Sequence, residues 1–170
     1  NYSQKIIIYI ILSGIYGTFG LKNIQRTHQI EKELLHSISK ELSIEALLEK
    51  RFGELSDGQQ RIILLARASI LEPQVIVLDE PNSMLDITST YKLRELLSTL
   101  SNRNISILFS THDFSLIDNY IDRIVTIKQG QITNDDLPSK VINNYKMSNL
   151  FDCKINVVRK SSQYCLYTQL

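Results

Sequence analysis

The stretch Val75-Ile76-Val77-Leu78-Asp79-Glu80-Pro81 decides the fold. An apolar, largely β-branched run without polar alternation suits a strand of a parallel sheet covered on both faces. It ends in two acids and a proline. Upstream, Leu55-Ser56-Asp57-Gly58-Gln59-Gln60 leads into Arg61–Leu71. That second part is apolar nearly all round and predicts a buried helix, stopped at Glu72-Pro73. Downstream, Leu93, Leu96, Leu97 and Leu100 recur at i, i+3, i+4 and i+7, the signature of a helix with one apolar face. Asn102-Arg103-Asn104 turns the chain into a second buried strand, Ile105–Phe109, which ends in Ser110-Thr111-His112-Asp113. Strand, helix and strand in this order predict an α/β layered fold with a mainly parallel sheet and flanking helices.

Working outward, a short helix is expected through Phe114–Tyr120 and a strand over Arg123–Ile127. Lys128-Gln129-Gly130-Gln131 then reads as a hairpin turn into Ile132. The tail predicts a helix over Val141–Leu150 and a strand pair around Ile155–Arg159 and Tyr164–Tyr167. Toward the amino end, Gln25–Lys50 has helical periodicity, with Ile30, Leu34, Ile38 and Leu42 on one face. Ser43 is expected to cap a fresh helix. His28 and His36 have no partner at metal spacing and read as surface residues. The apolar run Ile6–Leu12 follows Lys5 but falls short of the ~20 residues a bilayer-spanning helix needs. It reads as a buried or partner-facing segment.

Composition narrows the function classes. The chain has 170 residues, 43% hydrophobic and 22% charged, enough for a real core. Lys+Arg number 19 and Asp+Glu 18, a formal charge of +1. The basic residues are scattered, so a nucleic-acid partner is not expected. Two cysteines, Cys153 and Cys165, suit neither a disulfide scaffold nor a thiolate metal site. A reduced, intracellular setting fits best.

The chemistry gathers at strand ends, where ligands bind in open α/β sheets. The first strand delivers Asp79 and Glu80 and the second delivers His112. Two carboxylates and an imidazole there suit a divalent metal, an activated water and a phosphate. Ser56 and Gly58 sit where a helix begins, and free backbone N–H groups with the positive end of a helix dipole favour an anion. Gly58 would let the backbone come close to a phosphate.

As an ordered set these stretches resemble the ABC-type family of P-loop ATPases. Leu55-Ser56-Asp57-Gly58-Gln59 resembles the LSxGQ signature. Val75–Pro81 resembles the Walker B strand with its following glutamate. Ser83-Met84-Leu85-Asp86 resembles the D-loop, and Thr111-His112-Asp113 the switch-histidine loop. Ser56 to Asp79 and Glu80 to His112 are 23 and 32 residues apart, the usual size. The resemblance implies a P-loop NTPase partial domain carrying a helical signature subdomain. It implies ATP and Mg²⁺ as cofactors, with Asp79 holding Mg²⁺ through water, Glu80 as general base and His112 sensing the γ-phosphate. Leu55, Ser56, Asp57, Gly58 and Gln59 would face the nucleotide of a second ATPase subunit in a head-to-tail dimer, and Asp86 would couple the two sites. It further implies three segments: 1–71 with the signature, 72–133 with the catalytic half, and 134–170 as a C-terminal extension.

Some features depart from the pattern. No G-x-x-x-x-G-K-[ST] phosphate cradle is present: Gly14, Gly17 and Gly20 have the wrong spacing, Lys22 follows Leu21, and Gln4 is a poor candidate for the glutamine loop. The chain therefore reads as the C-terminal part of a longer polypeptide, or as the product of a broken gene, and is expected to hydrolyse ATP negligibly alone. Asp57 stands where glycine is commonest, Ile62 where an arginine is often found, and Asn82-Ser83-Met84 is an unusual D-loop start. The Ser13–Leu21 segment and the tail resemble importer-type ATPases of the iron-siderophore, cobalamin and molybdate-related group. That implies a transmembrane permease partner and a cytoplasmic location, peripheral on the inner face of the membrane. A soluble ABC ATPase outside transport, or a non-catalytic remnant, is the alternative.

Overall fold

The computed structural model describes residues 6–16, 28–161 and 163–168. Gln4, Lys5, Gly17, Gly20, Lys22 and Gln25 lie outside the described residues. The chain divides into two compact units, Asn1–Thr111 and His112–Leu170.

In the first unit the apolar run forms α1, Ile6–Tyr16. Ile7, Ile11 and Ile15, spaced by one helical turn, are all buried. A Cβ placed at Gly14 would meet the carbonyl oxygen of Arg67 at 2.1 Å. Glycine at this position therefore lets α1 lie directly on α3 (Asp57–Ser69). Among the described residues no helix is long and apolar enough to cross a membrane.

The periodic stretch gives α2, His28–Glu41. Only the carboxyl end of its predicted stripe is buried: Ile38 and Leu42 are inside, whereas Ile30 is exposed. Ser43 does not cap a new helix. It adopts φ 52°, turning the chain out of α2, and a single 3₁₀ turn, Glu45–Leu47, follows with Ile44 at its cap. The buried Ile44 side chain anchors that turn instead.

In α3, Ile62, Ile63, Leu65 and Ala66 face the core, but Leu64, Arg67 and Ala68 face solvent. The helix is thus amphipathic rather than apolar all round. Strand β1 (Val75–Asp79) pairs in parallel with β2 (Ser106–Ser110), with Asp79 opposite Ser110. Between them runs α4, Ile87–Ser101, burying Leu93, Leu96, Leu97 and Leu100 as the periodicity predicts. Side chains alternate across a sheet. Ile76 is buried on one face, while Val75, Val77 and Leu108 on the other are 54%, 70% and 62% exposed. The expectation of strands covered on both faces is therefore corrected: among the described residues, no layer covers that second face. Arg103, just past α4, donates to Glu41 at 2.6 Å and also to Glu72, joining the end of α2 to the corner before β1.

The second unit is built on antiparallel pairs. Strands β3 (Ile124–Lys128) and β4 (Gln131–Asp136) are joined through Gln129 and Gly130, both at positive φ, as a two-residue hairpin turn requires. The helix expected over Phe114–Tyr120 is only a 3₁₀ turn, Phe114–Leu116, capped by Asp113. The tail helix is broken into α5 (Pro138–Val141) and α6 (Asn144–Phe151), because Asn143 starts a new helix by accepting from Lys146 N at 3.0 Å. Strands β5 (Ile155–Lys160) and β6 (Gln163–Thr168) form the expected pair. Ile117, Val141, Ile142, Met147, Ile155 and Tyr164 make the core of this unit. Each such side chain contributes on the order of 2 kcal/mol by leaving water. Lys128 closes α6 by donating to Asn149 O and to Asp152 Oδ1, a cation at the negative end of a helix. Among the described residues the sheets are thus the expected parallel pair with its flanking helices, and the two expected antiparallel pairs.

Candidate functional site

The carboxyl ends of β1 and β2 hold the acidic pair. Ser110 lies opposite Asp79 in register, and its hydroxyl donates to Asp79 Oδ1 at 2.5 Å. The same hydroxyl oxygen accepts from Glu80 N at 3.0 Å. One serine thereby fixes the first carboxylate and the backbone of the second acid. Glu80 adopts φ 44°, a left-handed conformation that a residue with a Cβ rarely takes. The chain turns sharply there, with Ser83 N donating to Glu80 O at 3.1 Å and Leu85 N to Asn82 O at 3.2 Å. Asn82 is buried and its Oδ1 accepts from Thr111 Oγ1 at 3.0 Å. The unusual D-loop start is thus a polar cross-link to the end of β2.

The signature stretch is explained first by helix physics. Ser56 is the N-cap of α3: its hydroxyl accepts from Gln59 N at 3.3 Å, and Gln59 Oε1 accepts from Ser56 N at 3.2 Å. This is a capping box, legible in the sequence as S-x-x-Q. Gln60 donates to the carbonyls of Phe52 and Leu55, pinning the loop that enters the helix. Leu55 is only 5% exposed and acts as a core anchor. Asp57 is exposed in the first turn, where a negative charge complements the dipole. The N–H groups of Asp57 and Gly58 are helix-start donors with no acceptor inside the helix.

Asp86 is the N-cap of α4. Its Oδ1 accepts from Ser89 N at 2.7 Å and its Oδ2 from Ser89 Oγ at 3.1 Å. These bonds, the backbone one first, hold the Asp86 carboxyl below its ordinary value of 3.8. Gly58 abuts this cap, since a Cβ there would lie 2.6 Å from Ser89 Oγ. The structure therefore brings the signature helix start and the D-loop helix start together.

Arg61, whose place in the sequence carries no sign of this role, joins this corner to the acids. One terminal nitrogen donates to the carbonyls of Glu80 and Pro81 at 3.0 Å each, and the other to Ser83 O at 2.8 Å. Ile62, where the resemblance leads one to expect an arginine, is in the core. His112 is exposed and is the first residue of the second unit, directly after Thr111. Among the described residues no group of three or more His, Cys, Asp or Glu side chains is placed to hold a metal.

Known proteins resemble this chain in sequence and in fold. A family model described as "AAA domain, putative AbiEii toxin, Type IV TA system" matches residues 8–118, well over half of the chain. An uncharacterised ABC transporter ATP-binding protein of Methanocaldococcus jannaschii is 33% identical over 130 residues, covering 76% of this chain and 45% of that protein. The zinc import ATP-binding protein ZnuC of Ehrlichia chaffeensis is 30% identical over 130 residues, covering 76% of this chain and 53% of that protein. The energy-coupling factor transporter ATP-binding protein EcfA of Malacoplasma penetrans is 32% identical over 124 residues, covering 72% and 43%. The chain spans about half the length of these curated relatives. Among solved structures, an inward-facing ABC transporter described as of metal-chelate type superposes with a TM-score of 0.80 at 19% identity, over 96% of this chain and 65% of that one. The ADP conformation of an ATP-binding cassette of an ABC transporter gives 0.70 at 22% identity, over 88% and 62%. The fold is thus the α/β P-loop NTPase fold, present here in part with its helical signature region, and the chain belongs to the ABC-type, AAA-domain family of ATP-binding proteins.

Proposed function

We propose that the chain supplies the signature and acidic elements of the ATP site in an ABC transporter subunit of importer type. MgATP hydrolysis in a head-to-tail dimer would drive substrate movement through a transmembrane permease. The observation that carries this reading is the Asp79–Glu80 pair, fixed by Ser110 at the carboxyl end of a parallel strand and tied by Arg61 to the signature helix. The names of the relatives, ATP-binding proteins of zinc import and energy-coupling factor transport, support the importer class.

The acidic pair and the α3 start suit Mg²⁺ and phosphate, while the chain itself holds no G-x-x-x-x-G-K-[ST] cradle for the rest of the nucleotide. Asp79 offers an exposed hard-oxygen donor already oriented by one hydroxyl, which suits Mg²⁺ shared with phosphate oxygens and water. Bound Mg²⁺ supplies neutralisation of charge on the phosphates. Glu80 would accept the proton of the attacking water. His112 would donate to the γ-phosphate. Ser56, Asp57, Gly58 and Gln59 would present the α3 start to the nucleotide of the second subunit, through the free N–H groups of Asp57 and Gly58. Asp86 would link the paired sites, and the 92%-exposed Met84 and Ile87 flanking it offer apolar surface for that contact. Within this reading, 1–71 bears the signature, 72–133 the catalytic half and 134–170 an extension. The subunit would sit on the cytoplasmic face of the membrane.

The test is MgATP turnover by the complex purified through an affinity tag on this chain. Turnover that Glu80→Gln abolishes, with nucleotide still bound, is the expected result. The isolated chain should turn over negligibly, because no stretch reads G-x-x-x-x-G-K-[ST]. Equal turnover in the Glu80→Gln complex would overturn the assignment. A Glu80-dependent ATPase without any membrane subunit would favour a soluble ABC ATPase instead.

A further inference from the structure

We propose that Arg61 is a positioning residue for Glu80, locking the start of the signature helix and the catalytic acid into one rigid unit. The inference rests on the reading of Glu80 as general base. Its physical basis is the way the Glu80 backbone is gripped from two elements. On the amino side, Glu80 N donates to Ser110 Oγ of β2 at 3.0 Å. On the carboxyl side, Glu80 O accepts from Arg61 of α3 at 3.0 Å. Between these two grips the residue holds φ 44°, and Met84 four residues on holds φ 62°. Two such conformations cost on the order of 1–3 kcal/mol each and persist only where surrounding contacts impose them.

The turn's own hydrogen bonds do not explain the conformation of Glu80. Glu80 is the first residue of the turn closed by Ser83 N to Glu80 O, so that bond leaves its φ unspecified, whereas Met84, third in the turn closed by Leu85 N to Asn82 O, sits where a type II turn takes positive φ. Arg61 adds three charge-assisted bonds to carbonyls spread over Glu80, Pro81 and Ser83. A planar fork with several fixed donors can bridge such a row, whereas an ammonium is a compact point charge. The carbonyl oxygens of one turn are thereby collected onto a single side chain. That side chain leaves α3 only two residues after Gln59, the partner in the Ser56 capping box. A displacement of the α3 start would therefore reach Glu80 through Arg61, with no other element in the path.

The experiment compares wild type, Arg61→Lys and Arg61→Ala by two readouts. The first is amide hydrogen exchange of the 170-residue chain. Arg61→Lys should raise exchange at Ser83 and Leu85 by about tenfold while Leu97, in the core of α4, is unchanged. The second is steady-state turnover of the purified complex. Here kcat should fall about tenfold or more with KM for MgATP within about twofold, since only the transition-state alignment of Glu80 is disturbed. Arg61→Lys with unchanged exchange at Ser83 and unchanged kcat would overturn the proposal. So would a rise in exchange at Leu97 equal to that at Ser83, which marks general destabilisation. If the wild-type complex shows no Glu80-dependent turnover, the ATPase reading fails and the positioning role falls with it, while the exchange result still decides whether Arg61 braces the turn.

Discussion

Gly58 and Ser89 touch so closely that no side chain fits between them: a Cβ on Gly58 would lie 2.6 Å from Ser89 Oγ and 2.7 Å from its Cβ. The glycine of the signature is therefore demanded by the packing of two helix starts inside one chain, before any phosphate is considered. Gly58→Ala should destabilise the chain by about 1–3 kcal/mol through overpacking. The cost should shrink markedly in a Ser89→Gly background, because the opposing atoms are gone. Urea denaturation of the four variants measures the coupling. Additive losses would show that the two residues do not meet.

This contact marks the boundary of what sequence could reveal. The Val75–Leu78 strand, the α4 leucines, the hairpin at Gln129-Gly130 and the β5–β6 pair are all legible, because each depends on local periodicity or turn chemistry. The acids at the end of β1 are legible for the same reason: a strand followed by charged residues has few places to put them. What fails is whatever depends on distant neighbours. The exposed Val77 and Leu108 follow from what does or does not cover the sheet, and a β-branched run looks alike in both cases. Ser43 looks like an N-cap, but burial of Ile44 beside it selects a left-handed turn. Arg61 is invisible because its three acceptors are backbone carbonyls some twenty residues away, which leave no side-chain signal. The Ser56–Gln59 capping box was readable and is the simpler account of half the signature.

Because Ser56 and Gln59 satisfy each other's backbone at the start of α3, their removal should be felt without any nucleotide. Ser56→Ala is expected to cost about 1 kcal/mol, and Ser56→Asp to retain most of the stability, since an aspartate is an equally good N-cap. Urea midpoints of the isolated chain check this. A Ser56→Ala chain as stable as wild type would mean the box does not form in solution.

Acidification should loosen the α4 start. The Asp86 carboxyl is held below its ordinary 3.8 by accepting from Ser89 N, then from Ser89 Oγ. A folded-state value below the unfolded one means the unfolded chain binds the proton more readily. The stabilisation is thus present above pH 3.8 and is lost as pH falls through the lower, folded value. Asp86→Asn should therefore melt below wild type at neutral pH, and the gap should narrow progressively as pH falls below 3.8. Thermal melts followed by circular dichroism at several pH values decide the point. A gap independent of pH would place the effect in shape rather than charge.

The open face of the β1–β2 sheet gives the last expectation. Val77 sits opposite Leu108 in register, and both are mostly exposed, whereas Ile76 on the other face is 4% exposed. Parallel strands are ordinarily covered on both faces, so an apolar strip that no described residue covers is a site for unwanted association. In the isolated chain Val77→Lys should change stability by less than about 0.5 kcal/mol, as an exposed substitution does. It should also lower binding of a hydrophobic dye and reduce self-association. Ile76→Lys, one residue away, places a charge in the core and should unfold the chain, since an unpaired buried charge costs several kcal/mol. The contrast between neighbours is the discriminating measurement, because composition and strand propensity are nearly the same at both positions. If Val77→Lys unfolds the chain as Ile76→Lys does, the second face is covered in solution and the sheet is buried on both sides after all.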